Sequence, residues 1–379
     1  MPAQIISLPG KILFGAGSVS ELGKEAAQLG KKAIIVTYPD IKKVGILDRV
    51  LADLKINGVD AVVYDKIEPN PRSTTIDAGV KLAHREKIEL VIGLGGGSAM
   101  DAAKSLAIAY AGGAPVWDYV IRQARALPQT PPIIQIPTLA GTGSEINAGA
   151  VISNWEIHDK RAVGSGYAMA KIAIIDPEIT LTVPLNQVTA GGVDIFCHIV
   201  EPYVTDNRPN QLTDGIRETT MRTVVENLPL ALDNPQDISV RTKLSWASTL
   251  AMSALMNLGG GGGFLSMHDI EHAVSGYYDV THGVGLAALL PAWMKFTLPV
   301  RKERFESLGR NVFGNADGIA ATEAWLSRVG LHVKLRDLGA SLDKAGEIGG
   351  IAEKAGWGLK YHPIPLNAQS VAEIYRNAF

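Results

Sequence analysis

From about residue 32 to residue 176, short β-branched runs alternate with segments of helical spacing, and beyond residue 184 strand-like runs almost vanish. The runs 33–37 (AIIVT), 61–64 (AVVY), 89–94 (ELVIGL), 133–137 (IIQIP) and 172–176 (IAIID) are apolar on both alternating faces. A strand of that kind must be covered on both sides, which is the condition of a parallel sheet between helices. Between them 47–55, 75–86 and 99–110 carry helical spacing, and strand–helix–strand repetition predicts a doubly wound, Rossmann-like α/β domain. The segments 188–201, 211–227 and 240–255 read as long helices, so an all-helical C-terminal domain follows. Asp176-Pro177 and Pro184 are breakers, which sets the expected division at 1–183 and 184–379. A length of 379 residues suits two cores.

Lys and Arg total 36 against 38 Asp and Glu, a net of −2. Nothing in that balance attracts nucleic acid or an anionic membrane, and a small neutral ligand is the easier partner. The single cysteine, Cys197, excludes an internal disulfide framework. With no basic-then-apolar leader and no uninterrupted apolar run of membrane length, a cytoplasmic protein is expected.

Several of the 40 glycines are clustered where strands end. Gly95, Gly96, Gly97 and Ser98 join the run 89–94 to an alanine-rich helix. Amides at a helix start, with no Cβ in front of them, form a cradle for a phosphate or diphosphate. The match to G-x-G-x-x-G is imperfect, Ser98 standing in the third glycine's place, and no Walker A lysine follows. The alternative is a tight turn with no ligand. After the next strand comes PTLAGTGSE, 137–145. Loops after parallel strands open on the same edge, so Thr138 and Thr142 can reach the same nucleotide; read blandly, they belong to a polar loop with a helix cap.

Three of the eight histidines fall in MHDIEHAVSGYYDVTHG, at 268, 272 and 282. His268 to His272 spells H-x-x-E-H, the inverted zinc-peptidase pattern, in which His268 and His272 would bind zinc and Glu271 would activate water. Asp194 and His198 are four apart in a helical segment and share a face. With His268 and His282 they make a set of one oxygen and three nitrogens, suited to iron or zinc. His272, one turn from His268, is then free for proton transfer. Taken singly, each histidine is more often structural.

Together the motifs resemble the iron-containing, group III alcohol dehydrogenases: Gly95 to Ser98 with Asp101 and Lys104, PTLAGTGSE, D-x-x-x-H at 194 and 198, and H-x-x-x-H-x9-H-G ending at Gly283. The likeness runs nearly the whole chain and is greatest to the butanol-dehydrogenase-like branch. It implies a dehydroquinate synthase-like architecture, NAD or NADP, and Fe2+ or Zn2+ held by Asp194, His198, His268 and His282. It places Gly95, Gly96, Gly97, Ser98, Thr138 and Lys160 along the dinucleotide, Thr142 and Leu181 nearby, and His272 as proton relay. A homodimer or larger homo-oligomer acting on small primary alcohols and aldehydes is expected.

The departures are specific. Tyr38 stands where relatives carry a ribose-binding aspartate, and Asp40 is the candidate substitute; Leu139 replaces a second threonine. Gly259 to Gly263 is a glycine run that would widen a substrate pocket or simply connect two helices. Dehydroquinate-synthase-like and glycerol dehydrogenase-like enzymes share the scaffold, but 259–283 contains no Lys or Arg to line a phosphate-bearing substrate. A non-catalytic nucleotide-binding module is the remaining alternative.

Overall fold

The computed structural model describes residues 6–122, 128–260 and 264–379. Two compact units emerge: Ser7–Ile157 with Arg161–Val183, and Pro184–Phe379 with His158–Lys160 and Ile6, the first described residue.

The first unit is built on strands β1 Lys11–Phe14, β2 Lys32–Val36, β3 Asp60–Tyr64, β4 Leu90–Gly95, β5 Ile133–Pro137 and β8 Ile172–Ile175, with the pair β6 Gly149–Asn154 and β7 Asp159–Gly164 apart from them. The six-stranded sheet has order β1-β8-β5-β4-β2-β3, all parallel. Helices α1 Leu22–Ala26, α2 Ile41–Val44, α3 Ile46–Ile56, α4 Ser73–Glu86, α5 Gly97–Gly112 and α6 Val116–Val120 belong to this unit. Strand periodicity divides the core in two. Ala33, Ile35, Ile92, Leu94, Ile134 and Ile136 pack with α1 and α3, whereas Ile34, Val36, Val91 and Ile133 pack with α4 and α5.

After β2 the chain winds toward β3 and after β4 toward β5, with α3 and α5 on opposite faces. The carboxyl ends of β2 and β4 therefore flank a topological switch point, where ligands of open α/β sheets bind. Three strands are absent from the sequence reading. β1 is four residues with a half-exposed pattern, and β6 and β7 mix glycine, charge and apolar residues without a clean period.

The second unit contains α7 Leu185–Thr205, α8 Gln211–Asp233, α9 Ile238–Ala251, α10 Ser266–Tyr278, α11 His282–Leu308, α12 Gly318–Arg328, α13 Ala345–Ala355 and α14 Ala368–Asn377. No strand follows Ile175 among the described residues. Every residue of α7 from Val188 to Thr205 is buried, the mark of a helix enclosed by others; it packs against α8, α9 and α11. The helical stretch His282–Phe313 is long and apolar enough to cross a membrane, but 67% of its apolar window is buried inside the fold. The helix expected over 240–255 ends at Ala251. Ser253 Oγ accepts from the Leu255 amide at 3.2 Å and starts a 3-10 turn, Ala254–Asn257, in its place.

In the glycine run, Gly261 to Gly263 lie outside the described residues. At Gly260 an added Cβ would meet the Asp206 carboxylate, which is itself paired with the buried Arg217 at 3.0 Å. That position borders an ion pair, not open space.

Candidate metal and nucleotide sites

Asp194, His198 and Glu201 lie at i, i+4 and i+7 of α7, one stripe of a buried helix. His268 enters from the first turn of α10 and His282 is the first residue of α11, behind Thr281. Close approach of α11 requires Gly283, because a Cβ there would strike the Ala190 backbone of α7. Asp194 Oδ1 lies 3.5 Å from His198 Nδ1, 3.5 Å from His268 Nε2 and 3.7 Å from His282 Nε2. The rings of His198 and His268 stack with centroids 4.5 Å apart.

Three atoms at this focus, Asp194 Oδ1, His198 Nδ1 and His268 Nε2, are buried without a hydrogen-bond partner. Buried polar atoms are ordinarily satisfied. One carboxylate oxygen surrounded by imidazole nitrogens at these separations is a donor set that a divalent first-row cation satisfies at once, so the residues fit the metal.

The electrostatics agree. Burial alone would raise the Asp194 carboxyl, but the three imidazoles together hold it below the usual carboxylate range. Burial pushes His198 down to about 3, Asp194 pulling against it. At His268 burial is outweighed by the Glu201 and Asp194 carboxylates, which lift it to about 10.

Of the two outer carboxylates, sequence reasoning missed Glu201 and gave Glu271 a different role. His268 Nδ1 donates to Glu201, which also accepts from the Met267 amide at 2.6 Å, and His282 Nδ1 donates to Glu271. Such partners fix which imidazole nitrogen turns inward. Glu201 was detectable as a third polar residue on the Asp194/His198 stripe.

His272 keeps an exposed edge beside the cluster, its ring 6.4 Å from that of His268 and 5.5 Å from that of His282. Loss of solvation, with the Lys160 ammonium next, pushes its imidazole well below the ordinary value. The peptidase arrangement is not what forms: His268 Nε2 faces Asp194, and Glu271 is engaged by His282 with Lys160 3.7 Å away.

At the switch point of the first unit, α5 begins at Gly97 with Gly96 as its cap residue and Ser98 in its first turn. A Cβ at Gly97 would collide with the Thr142 side chain, and one at Gly96 would touch Leu139 at 3.8 Å. The Thr138 amide donates to the Gly95 carbonyl at 2.9 Å, carrying the β4–β5 pairing into the loop. Tyr38, just past β2, hydrogen-bonds with Thr138, and burial raises its phenol. The residues Tyr38, Gly95 to Ser98, Thr138, Leu139 and Thr142 thus gather around one turn. Asp40 is exposed and paired with Lys43 at 2.7 Å, while Leu181 lies in the 3-10 turn Pro177–Thr182. Lys160 groups elsewhere, with the helical unit, donating to Ser275 Oγ at 2.8 Å.

The loop is clamped from below. Buried Lys104 donates to the Ser144 carbonyl at 2.9 Å and to that of Gly149, and Asp101 accepts from Ser144 Oγ at 2.6 Å and the Val151 amide at 2.8 Å.

The family model of iron-containing alcohol dehydrogenase matches residues 9–177, and that of the Fe-containing alcohol dehydrogenase family, C-terminal, matches residues 188–379. The chain is 36% identical to NADH-dependent butanol dehydrogenase A of Clostridium acetobutylicum, over 98% of both chains. It is 32% identical to an NADPH-dependent aldehyde reductase of Escherichia coli, over 87% of this chain and 88% of that one. The crystal structure of NADH-dependent butanol dehydrogenase A from Thermotoga maritima superposes with a TM-score of 0.95 at 32% identity, covering 100% of this chain and 99% of that one.

Proposed function

The chain belongs to the iron-containing alcohol dehydrogenase family, and on that premise we propose that it transfers hydride between NAD(H) or NADP(H) and a small primary alcohol or aldehyde. Asp194, His198, His268 and His282 are assigned as the ligands of Fe2+, or of Zn2+ in its place. The observation that carries this reading is the meeting of three unsatisfied buried atoms, one acidic and two imidazole, at a single focus. Residues 1–183 are assigned to the dinucleotide and residues 184–379 to metal and substrate.

When bound, the metal supplies Lewis acidity, favouring loss of the alcohol proton in one direction and hydride attack on the aldehyde carbon in the other. The remaining work falls to the chain. Amides of Gly96, Gly97 and Ser98, at the start of α5, hold the diphosphate. Thr138, Leu139 and Thr142 line the same turn, Tyr38 takes the adenosine side, and Asp40 discourages a 2′-phosphate, favouring NAD(H). Leu181 and Lys160 are the further cofactor contacts. His272, its ring beside those of His268 and His282, is assigned as the proton relay.

The relatives named above act on butanol and aldehydes, which favours this substrate class over the dehydroquinate-synthase-like, glycerol dehydrogenase-like and peptidase alternatives. A cytoplasmic setting accords with one buried free cysteine. A homodimer or larger homo-oligomer is proposed, to be checked by light scattering. The deciding assay is NADH and NADPH oxidation by metal-loaded, anaerobically purified protein against a panel of short aldehydes. Turnover that chelation abolishes is expected, and absence of turnover with both cofactors would overturn the assignment.

A further inference from the structure

Two of the imidazoles facing Asp194 are gripped from behind by carboxylates, and the two grips differ. Glu201 uses both oxygens, one on His268 Nδ1 and one on the Met267 amide. Glu271 uses Oε2 on His282 Nδ1, while its Oε1 is buried with no hydrogen-bond partner. Gly285 makes the room for it, since a Cβ there would come within 2.7 Å of Oε1. The same Oε2 lies 3.7 Å from the ammonium of Lys160, whose side chain is only 5% exposed.

Three carboxylates, Asp194, Glu201 and Glu271, surround the imidazoles at the focus, and the Lys160 ammonium is the cation set against Glu271. His282 is also the least enclosed of the imidazoles, its side chain 22% exposed against 5% for His198 and 4% for His268. It sits at the N-terminus of α11, where the helix dipole opposes positive charge.

We propose that Glu271 is the positioning residue that keeps Nε2 of His282 turned to Asp194, and that Lys160 is a counter-charge that weakens this grip and so sets how tightly the metal is held. The proposal rests on the metal reading of the cluster. A carboxylate behind a ligating imidazole raises its basicity; an ammonium sharing that carboxylate lowers it again. Removing either charge therefore moves metal affinity in opposite directions, a pattern that mere loss of packing does not produce.

The test is a Co2+ titration of metal-free protein, followed by its visible absorption in the presence of a competing chelator, with each variant's metal-free melting curve as a folding control. Glu271→Gln is expected to weaken binding by about 10- to 100-fold and alter the cobalt spectrum, with Glu271→Asp recovering part of the loss. Lys160→Met is expected to tighten binding by several-fold, on the order of tenfold at most. Should Glu271→Gln fail to fold, the sign of the Lys160→Met change decides. Binding by Glu271→Gln within about twofold of the parent chain, or a Lys160→Met loss as large as that of Glu271→Gln, overturns the proposal. Equal cobalt binding by the parent chain and His268→Ala would instead sink the metal reading beneath it.

Discussion

In the proposed assignment the turn at Gly95 to Ser98 and the cluster around Asp194 both receive charge, but by opposite means. The turn works through missing side chains: its amides are accessible because nothing projects from Gly96 and Gly97, and the space a Cβ would take at Gly97 already holds Thr142. The cluster works through side chains that three helices carry to one point, each of its outer imidazoles braced by a carboxylate. A backbone cradle is lost by adding atoms, whereas a side-chain cradle is lost by removing them.

The contrast predicts separable failures. The largest belongs to Asp194→Ala, which leaves His198 Nδ1 and His268 Nε2 facing no anion: kcat/KM falls by about a thousandfold or more, and metal analysis shows the protein depleted. NADH binding, followed by fluorescence, stays within about threefold of the parent. Gly97→Val reverses the pattern. Its branched side chain meets Thr142, so the dissociation constant for NADH rises by about 10- to 100-fold while metal content is unchanged. Thr142→Val, which deletes one hydroxyl from the same turn, raises the KM for NADH by about two- to tenfold. The smallest effect is expected at Asp40, which is exposed and shared with Lys43: Asp40→Asn shifts the ratio of kcat/KM for NADH and NADPH toward NADPH by less than about tenfold. Metal loss in Gly97→Val, or failed NADH binding in Asp194→Ala, would break the contrast.

What could be read in advance follows from the same physics. Strands β2, β4, β5 and β8 announce themselves because burial on both faces leaves them almost no polar residues. The edge strand β1 does not, being short and half-exposed. Asp194 and His198 are legible from spacing alone, since four residues bring two side chains to one helix face. The partners of their neighbours are not. Glu271 reads as a peptidase base until its Oε2 is seen on His282, and the contact of Lys160 with Ser275 joins positions 115 apart, beyond any periodic signal. Gly283 shows its purpose only once α11 is packed against Ala190. Local pattern carries elements and faces, while the outer support of a site depends on which loops return to which helix.

Anaerobic titration of metal-free protein with Fe2+, following NADH-dependent aldehyde reduction at each addition, tests the central claim most directly. Activity should rise in proportion to added metal and level off at about one equivalent per chain, with no rise in His268→Ala. Full activity in the metal-free protein would contradict it.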